Sequence, residues 1–176
     1  MRRGYFNVIY ILLAAVIVAV DALFKKWIVL NITLGTYHRF VPGIIGITHL
    51  RNDGAAFSIL AGRREILLVL TALFIAFAVV ILLTGRIRNT WGCLGLSMVL
   101  GGAAGNAVDR LAQGYVVDMF SFEFVDFAIF NIADCFITIG GIVFCLYIII
   151  AGSKSDKEKK THPSGGPGEG SGGVLP

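Results

Sequence analysis

The chain has 176 residues, 56% hydrophobic and 15% charged, with a mean hydropathy of +0.81 and a formal net charge of +4. It is too apolar for an ordinary water-soluble domain and too short for several domains, so the composition points to one membrane-embedded unit. Nucleic-acid binding is excluded as the use of the positive charge, because no basic stripe with interleaved aromatics occurs and the lysines cluster in the tail; anionic membrane lipid is the simpler partner.

Cys93, Cys135 and Cys145 lie in or beside apolar runs, are odd in number and lack ligand spacing, so they read as small buried hydrophobes. His38, His49 and His162 are scattered and no H-E-x-x-H occurs. Neither a metal nor a cofactor is expected.

In chain order, a short basic head with Arg2 and Arg3 precedes an apolar run over about 8–24, near the length that spans a hydrocarbon core. No small-x-small cleavage site follows it, so it is expected to be a retained first helix. Asp21 and Lys25 stand four apart near its end, in the favourable order for a helical ion pair. They read either as a wet interfacial pair, worth about 1 kcal/mol or less, or as a strut for a nearby site.

A loop over about 26–64 follows, with β-branched stretches at Ile28–Leu34 and Ile44–Leu50 punctuated by Gly35, Pro42, Gly43 and Gly46. It predicts short strands at the membrane surface. Asn52-Asp53-Gly54 is a tight-turn signal, and taken alone it makes Asn52 a turn residue.

The second and third spans are predicted over about 65–84 and 91–110. The third carries a small-residue ridge, Ser97, Gly101 and Gly105, that lets helices approach closely. The same spacing reaches Asp109, and the adjacent ridge is Gly102, Asn106 and Arg110. GGAAGN resembles a phosphate loop but lacks the G-K-[ST] ending. Leu111 to Phe130 reads as a loop holding Asp118, Glu123 and Asp126.

The fourth span is predicted over about 132–151. Asn131 is a candidate N-cap with Asp134 at the third helical position, which by itself accounts for an acid there. The first 152 residues form one domain. The tail 153–176 is Lys-rich and then Gly/Ser/Pro-rich, and is expected to be disordered.

Alternating span directions bring the end of span one, the end of span three and the start of span four to the same membrane face. Asp21, Lys25, Asn106, Asp109, Arg110, Asn131 and Asp134 therefore converge there, with both long loops carrying Asn52 and Asp118. Polar groups at membrane depth are expensive and default to function. The head, short connection and tail carry eight Lys/Arg against seven in the long loops. With the acidic third loop and the basic head, this puts both termini in the cytoplasm.

Five segments in this order, Asp21-x-x-x-Lys25, Asn52-Asp53-Gly54-Ala55-Ala56-Phe57, Gly105-Asn106-Ala107-Val108-Asp109-Arg110, Val116-Val117-Asp118-Met119-Phe120 and Phe130-Asn131-Ile132-Ala133-Asp134, resemble lipoprotein signal peptidase (signal peptidase II), a family of bacterial membrane aspartyl proteases. The resemblance covers about residues 8–150. It implies a mainly α membrane protein of four transmembrane helices with a small β-rich extracytoplasmic subdomain. It implies a catalytic pair, Asp118 and Asp134, with Asn52, Gly54, Asn106, Arg110, Asn131 and Ala133 binding substrate or supporting the pair. Asp21, Lys25 and Asp109 would brace the site. The implied substrate is a diacylglyceryl-modified prolipoprotein, cut just before the lipidated cysteine. Globomycin-type cyclic peptides are the implied inhibitors and the inner membrane the implied location; a monomer is expected. Asp53, Met119 and Cys135 depart from the family's common Thr or Asn, Phe and Ser. The rival readings are a small proton-coupled transporter and a non-catalytic membrane assembly factor.

Overall fold

The computed structural model describes residues 2–54 and 63–161, with side chains over 8–54 and 63–153. They form helices α1 (Arg2–Asn31), α2 (Arg64–Thr84), α3 (Thr90–Gln113) and α4 (Ile132–Thr161), and strands β1 (Tyr37–Val41), β2 (Ile45–Asn52) and β3 (Val116–Phe122). Four segments are long and apolar enough to cross a membrane: Val8–Asn31, Arg64–Thr84, Thr90–Gln113 and Ile132–Ser153. The four-span frame expected from the sequence is present. α4 runs past Ser153 to Thr161, and the rest of the tail, like Ala55, Ala56 and Phe57, lies outside the described residues.

α3 is the centre of the bundle and packs against the other three helices. Its most apolar window is 61% buried within the protein, against 11% for α2 and 6% for α4. Its small residues permit this. A Cβ on Gly101 would come within 2.8 Å of Ile17 on α1, and one on Gly102 would collide with the Ala133 carbonyl of α4. Lipid tails give apolar helices no hydrophobic reason to associate, so such close backbone approach is what holds them.

The three strands form an antiparallel sheet in the order β1-β2-β3, with Leu50 opposite Asp118 and an irregularity in β2 between Ile47 and Leu50. Two local expectations fail here. Ile28–Asn31, read as part of a strand, is the last turn of α1. Ile28 is fully buried against Val117 and Met119. Burying such a side chain is worth about 2 kcal/mol, more than the under about 1 kcal/mol by which isoleucine disfavours helix. Residues 116–122, read as loop, are β3. Val116 to Met119 are buried without a break, so the run lacks the alternation that marks a strand with one wet face.

Candidate active site

The site is assembled by three helix ends and two strands. β3 carries Asp118, which has no exposed surface. Its two carboxylate oxygens accept from two different amides: Asn131 Nδ2 donates to Oδ1 at 2.6 Å, and Asn52 Nδ2, from the end of β2, donates to Oδ2 at 2.8 Å. Asn52 also uses its own Oδ1 to accept from Gly54 N at 3.0 Å. The turn expected of Asn52 is made, and the same side chain reaches Asp118.

Asp134 sits in the first turn of α4. Its backbone N–H donates to Asn131 Oδ1 at 2.9 Å, and Asn131 N–H donates back to Asp134 Oδ2 at 3.2 Å. This reciprocal arrangement satisfies two helix-end donors, as a capping box does. Asp134 Oδ1 is left for a different partner, Asn106 Nδ2 of α3, at 2.8 Å. Asn131 Nδ2 also donates to Asn106 Oδ1 at 3.2 Å. The two carboxylates are thus joined through the amides of Asn106 and Asn131.

Behind them is a second polar layer. Lys25 Nζ lies 2.7 Å from Asp21 Oδ2, 3.0 Å from Asp109 Oδ2 and 2.9 Å from Asn106 Oδ1. Lys25 and Asp21 are 3% and 1% exposed, so the wet-pair reading of these residues fails. Lys25 occupies the carbonyl oxygen of Asn106, so the amide nitrogen of Asn106 must face Asp134. Asp21 Oδ1 accepts from Ala133 N at 2.9 Å, fastening α1 to the start of α4. Gly105 leaves room for it: a Cβ there would stand 2.8 Å from Asp21 Oδ2. Asp109 Oδ2 also accepts from Val117 N at 3.2 Å, fastening α3 to the residue before Asp118.

Arg110 donates from Nη2 to the Gly54 carbonyl at 2.6 Å and from Nη1 to the Asn106 carbonyl at 3.4 Å. It ties the end of α3 to the chain leaving β2. Asp21, Lys25, Asn52, Gly54, Asn106, Asp109, Arg110, Asp118, Asn131, Ala133 and Asp134, the residues expected at the site, therefore belong to one connected hydrogen-bond network. The sequence reading missed the apolar residues that line a cavity with this network. The cavity, of about 470 Å³, is lined by Asp118, Asp134 and Arg110 together with Phe122, Phe127 and Ile137. The density of phenylalanine between positions 120 and 130 was the available signal.

Burial pushes the Asp118 carboxyl up to about 6, against the pull of its Asn52 hydrogen bond and with a further push from the charge of Asp134.

The fold has solved counterparts. Two bacterial membrane enzyme structures superpose with TM-scores of 0.75 each. One is 34% identical, covering 85% of this chain and 90% of its own; the other is 32% identical, covering 84% and 97%. The lipoprotein signal peptidase of Streptococcus pyogenes serotype M5 is 45% identical over 141 residues, 79% of this chain and 93% of that protein, and that of serotype M18 matches equally. Residues 13–150 match the family described as Signal peptidase (SPase) II.

The chain belongs to the signal peptidase II family. It is accordingly an integral membrane peptidase that removes signal peptides. The acid-bearing network of this signal peptidase II lies wholly within the matched residues.

Proposed function

We propose that this signal peptidase II acts on diacylglyceryl-modified prolipoproteins, cutting just before the lipidated cysteine, with Asp118 and Asp134 as its general acid–base pair. The observation that carries the reading is the pairing of two carboxylates through neutral amides beside a cavity lined by both polar and apolar side chains.

Two such carboxylates hold one proton between them. The ionised member takes a proton from water as the water oxygen bonds to the scissile carbonyl carbon. The protonated member gives its proton to the carbonyl oxygen, forming a gem-diol. The roles then exchange: a gem-diol proton returns to the carboxylate, the amine nitrogen is protonated and the C–N bond breaks. Burial pushes the Asp118 carboxyl up, so Asp118 is a suitable place for the resting proton.

Arg110 is the binding residue for peptide backbone and for globomycin-type cyclic peptides. One arm of its guanidinium already holds Gly54 O, while Nε has no partner among the described residues and remains to donate. The apolar side chains lining the cavity suit a substrate whose acyl chains stay in the membrane lipid. The acid-bearing end faces the extracytoplasmic side with both termini in the cytoplasm, and the protein works as a monomer. The polar residues of the described network gather at one end of the bundle, which favours a peptidase over a transporter relay.

Incubation of the purified protein with one precursor in two forms, diacylglyceryl-modified and unmodified, tests the substrate class. The modified form is expected to be cut before its lipidated cysteine and the unmodified form left intact. Equal cleavage of both would remove the lipid from the recognition.

A further inference from the structure

At the end of the bundle away from the acids, a groove of about 400 Å³ runs between the start of α3 and the last part of the spanning segment of α4. Trp91, Val143, Leu146 and Ile150 line it, and Tyr147 forms its floor. Gly92 is what allows the floor: a Cβ there would come within 2.8 Å of both the Tyr147 ring and Ile87. Trp91 is 65% exposed, and Leu146 and Ile150 are also exposed. All lie in segments apolar enough to span a membrane, so the groove opens into lipid.

The connection between α2 and α3 ends beside this groove. Ile87 turns inward against Gly92 and Tyr147. In an extended segment its neighbours face the other way, and Arg86 and Arg88 are both exposed. Among the described residues neither makes an ion pair. No Asp or Glu occurs in 66–108 or in 135–155, and the tail from Ser153 carries Lys154, Lys157, Lys159 and Lys160 against Asp156, Glu158 and Glu169. An apolar groove therefore meets two guanidiniums, without an ion pair among the described residues, in a net positive field.

We infer that this groove binds one anionic phospholipid, with an acyl chain along Val143, Leu146 and Ile150 and the phosphate paired with Arg86 and Arg88. Guanidinium forks match phosphate oxygens. A zwitterionic lipid fills the groove equally well but brings no net charge, so the selectivity comes from the arginines. Tryptophan at this level is where an interfacial reporter belongs.

Trp91 is one of two tryptophans in the chain, so Trp27→Phe leaves it as the only one. The full chain carrying that change is reconstituted at low salt in phosphatidylcholine vesicles. These hold equal mole fractions of either brominated phosphatidylglycerol or brominated phosphatidylcholine, and Trp91 quenching is read. The glycerol lipid is expected to associate at Trp91 about fivefold more strongly. Adding Arg86→Gln and Arg88→Gln together should bring the two lipids to parity, with precursor cleavage retained as evidence of an intact fold. Val143→Phe, which fills the groove and keeps both arginines, should do the same. Equal quenching by the two lipids before those changes, or a preference that survives either of them, would overturn the site.

Discussion

Two pairs of carboxylates share the polar end of the bundle and are held in opposite ways. Asp21 and Asp109 have an ammonium between them, Lys25 Nζ at 2.7 and 3.0 Å, and each also accepts a backbone N–H, from Ala133 and from Val117. Asp118 and Asp134 have amides: Asn52, Asn106 and Asn131 supply side-chain donors. The ammonium bridges its two acids and, with the backbone donors, fixes the helices that carry them. In the proposed mechanism amides leave a proton free to move between theirs. On that proposal the same residue type serves as a strut in one place and as a reagent in the other, and the neighbour decides which.

Removing the cation should break the first pair most severely. Lys25→Met leaves two buried carboxylates without their counter-charge and frees Asn106 to turn. A loss of about 3–5 kcal/mol is expected, read as a large drop in the midpoint of thermal unfolding in detergent. An unchanged midpoint would mean that Lys25 is no strut.

Arg110→Lys keeps a charge but loses the fork that holds Gly54 O. Cleavage efficiency and globomycin-type inhibition should each weaken about tenfold or more, the equivalent of about 1.4 kcal/mol, while the unfolding midpoint moves little. Wild-type inhibition in this variant would take Arg110 out of the binding site.

The second pair should also show in the pH dependence of stability. The folded-state value of Asp118 stands at about 6, above its ordinary 3.8. Between those values the folded protein binds more protons than the unfolded chain, so its contribution to stability falls as pH rises from about 4 to about 6. Thermal midpoints should therefore decline across that window, and less steeply in Asp118→Asn. Parallel curves would argue that Asp118 ionises without hindrance. The smallest effect belongs to the exposed Asp126: Asp126→Asn should change cleavage less than about twofold and stability by less than about 0.5 kcal/mol.

Local signals and long-range contacts were unequally legible in the sequence. The spans announced themselves through length and hydropathy, and the Gly101–Gly105 ridge through its spacing. The capping role of Asn131 and Asp134 was readable because its partners are three residues apart. The strand character of 116–122 was not, since the run is buried on both sides and its pairing partner lies some 70 residues earlier in β2. The end of α1 was misread because β-branched residues there follow tertiary burial instead of local preference. Lys25 was legible as the partner of Asp21. Its bond to Asn106, 81 positions away, exists only once α1 and α3 are packed.

The proposed sharing of one proton by Asp118 and Asp134 is tested most directly by single and double Asp→Asn variants, assayed by cleavage of a diacylglyceryl-modified precursor. Asparagine keeps the size and can still accept a hydrogen bond, but cannot take or release the proton. Asp118→Asn and Asp134→Asn should each lower turnover by at least about a thousandfold with the folded yield retained, and the double variant should be scarcely worse, because members of one catalytic unit are not additive. Substantial cleavage by either single variant would contradict the account.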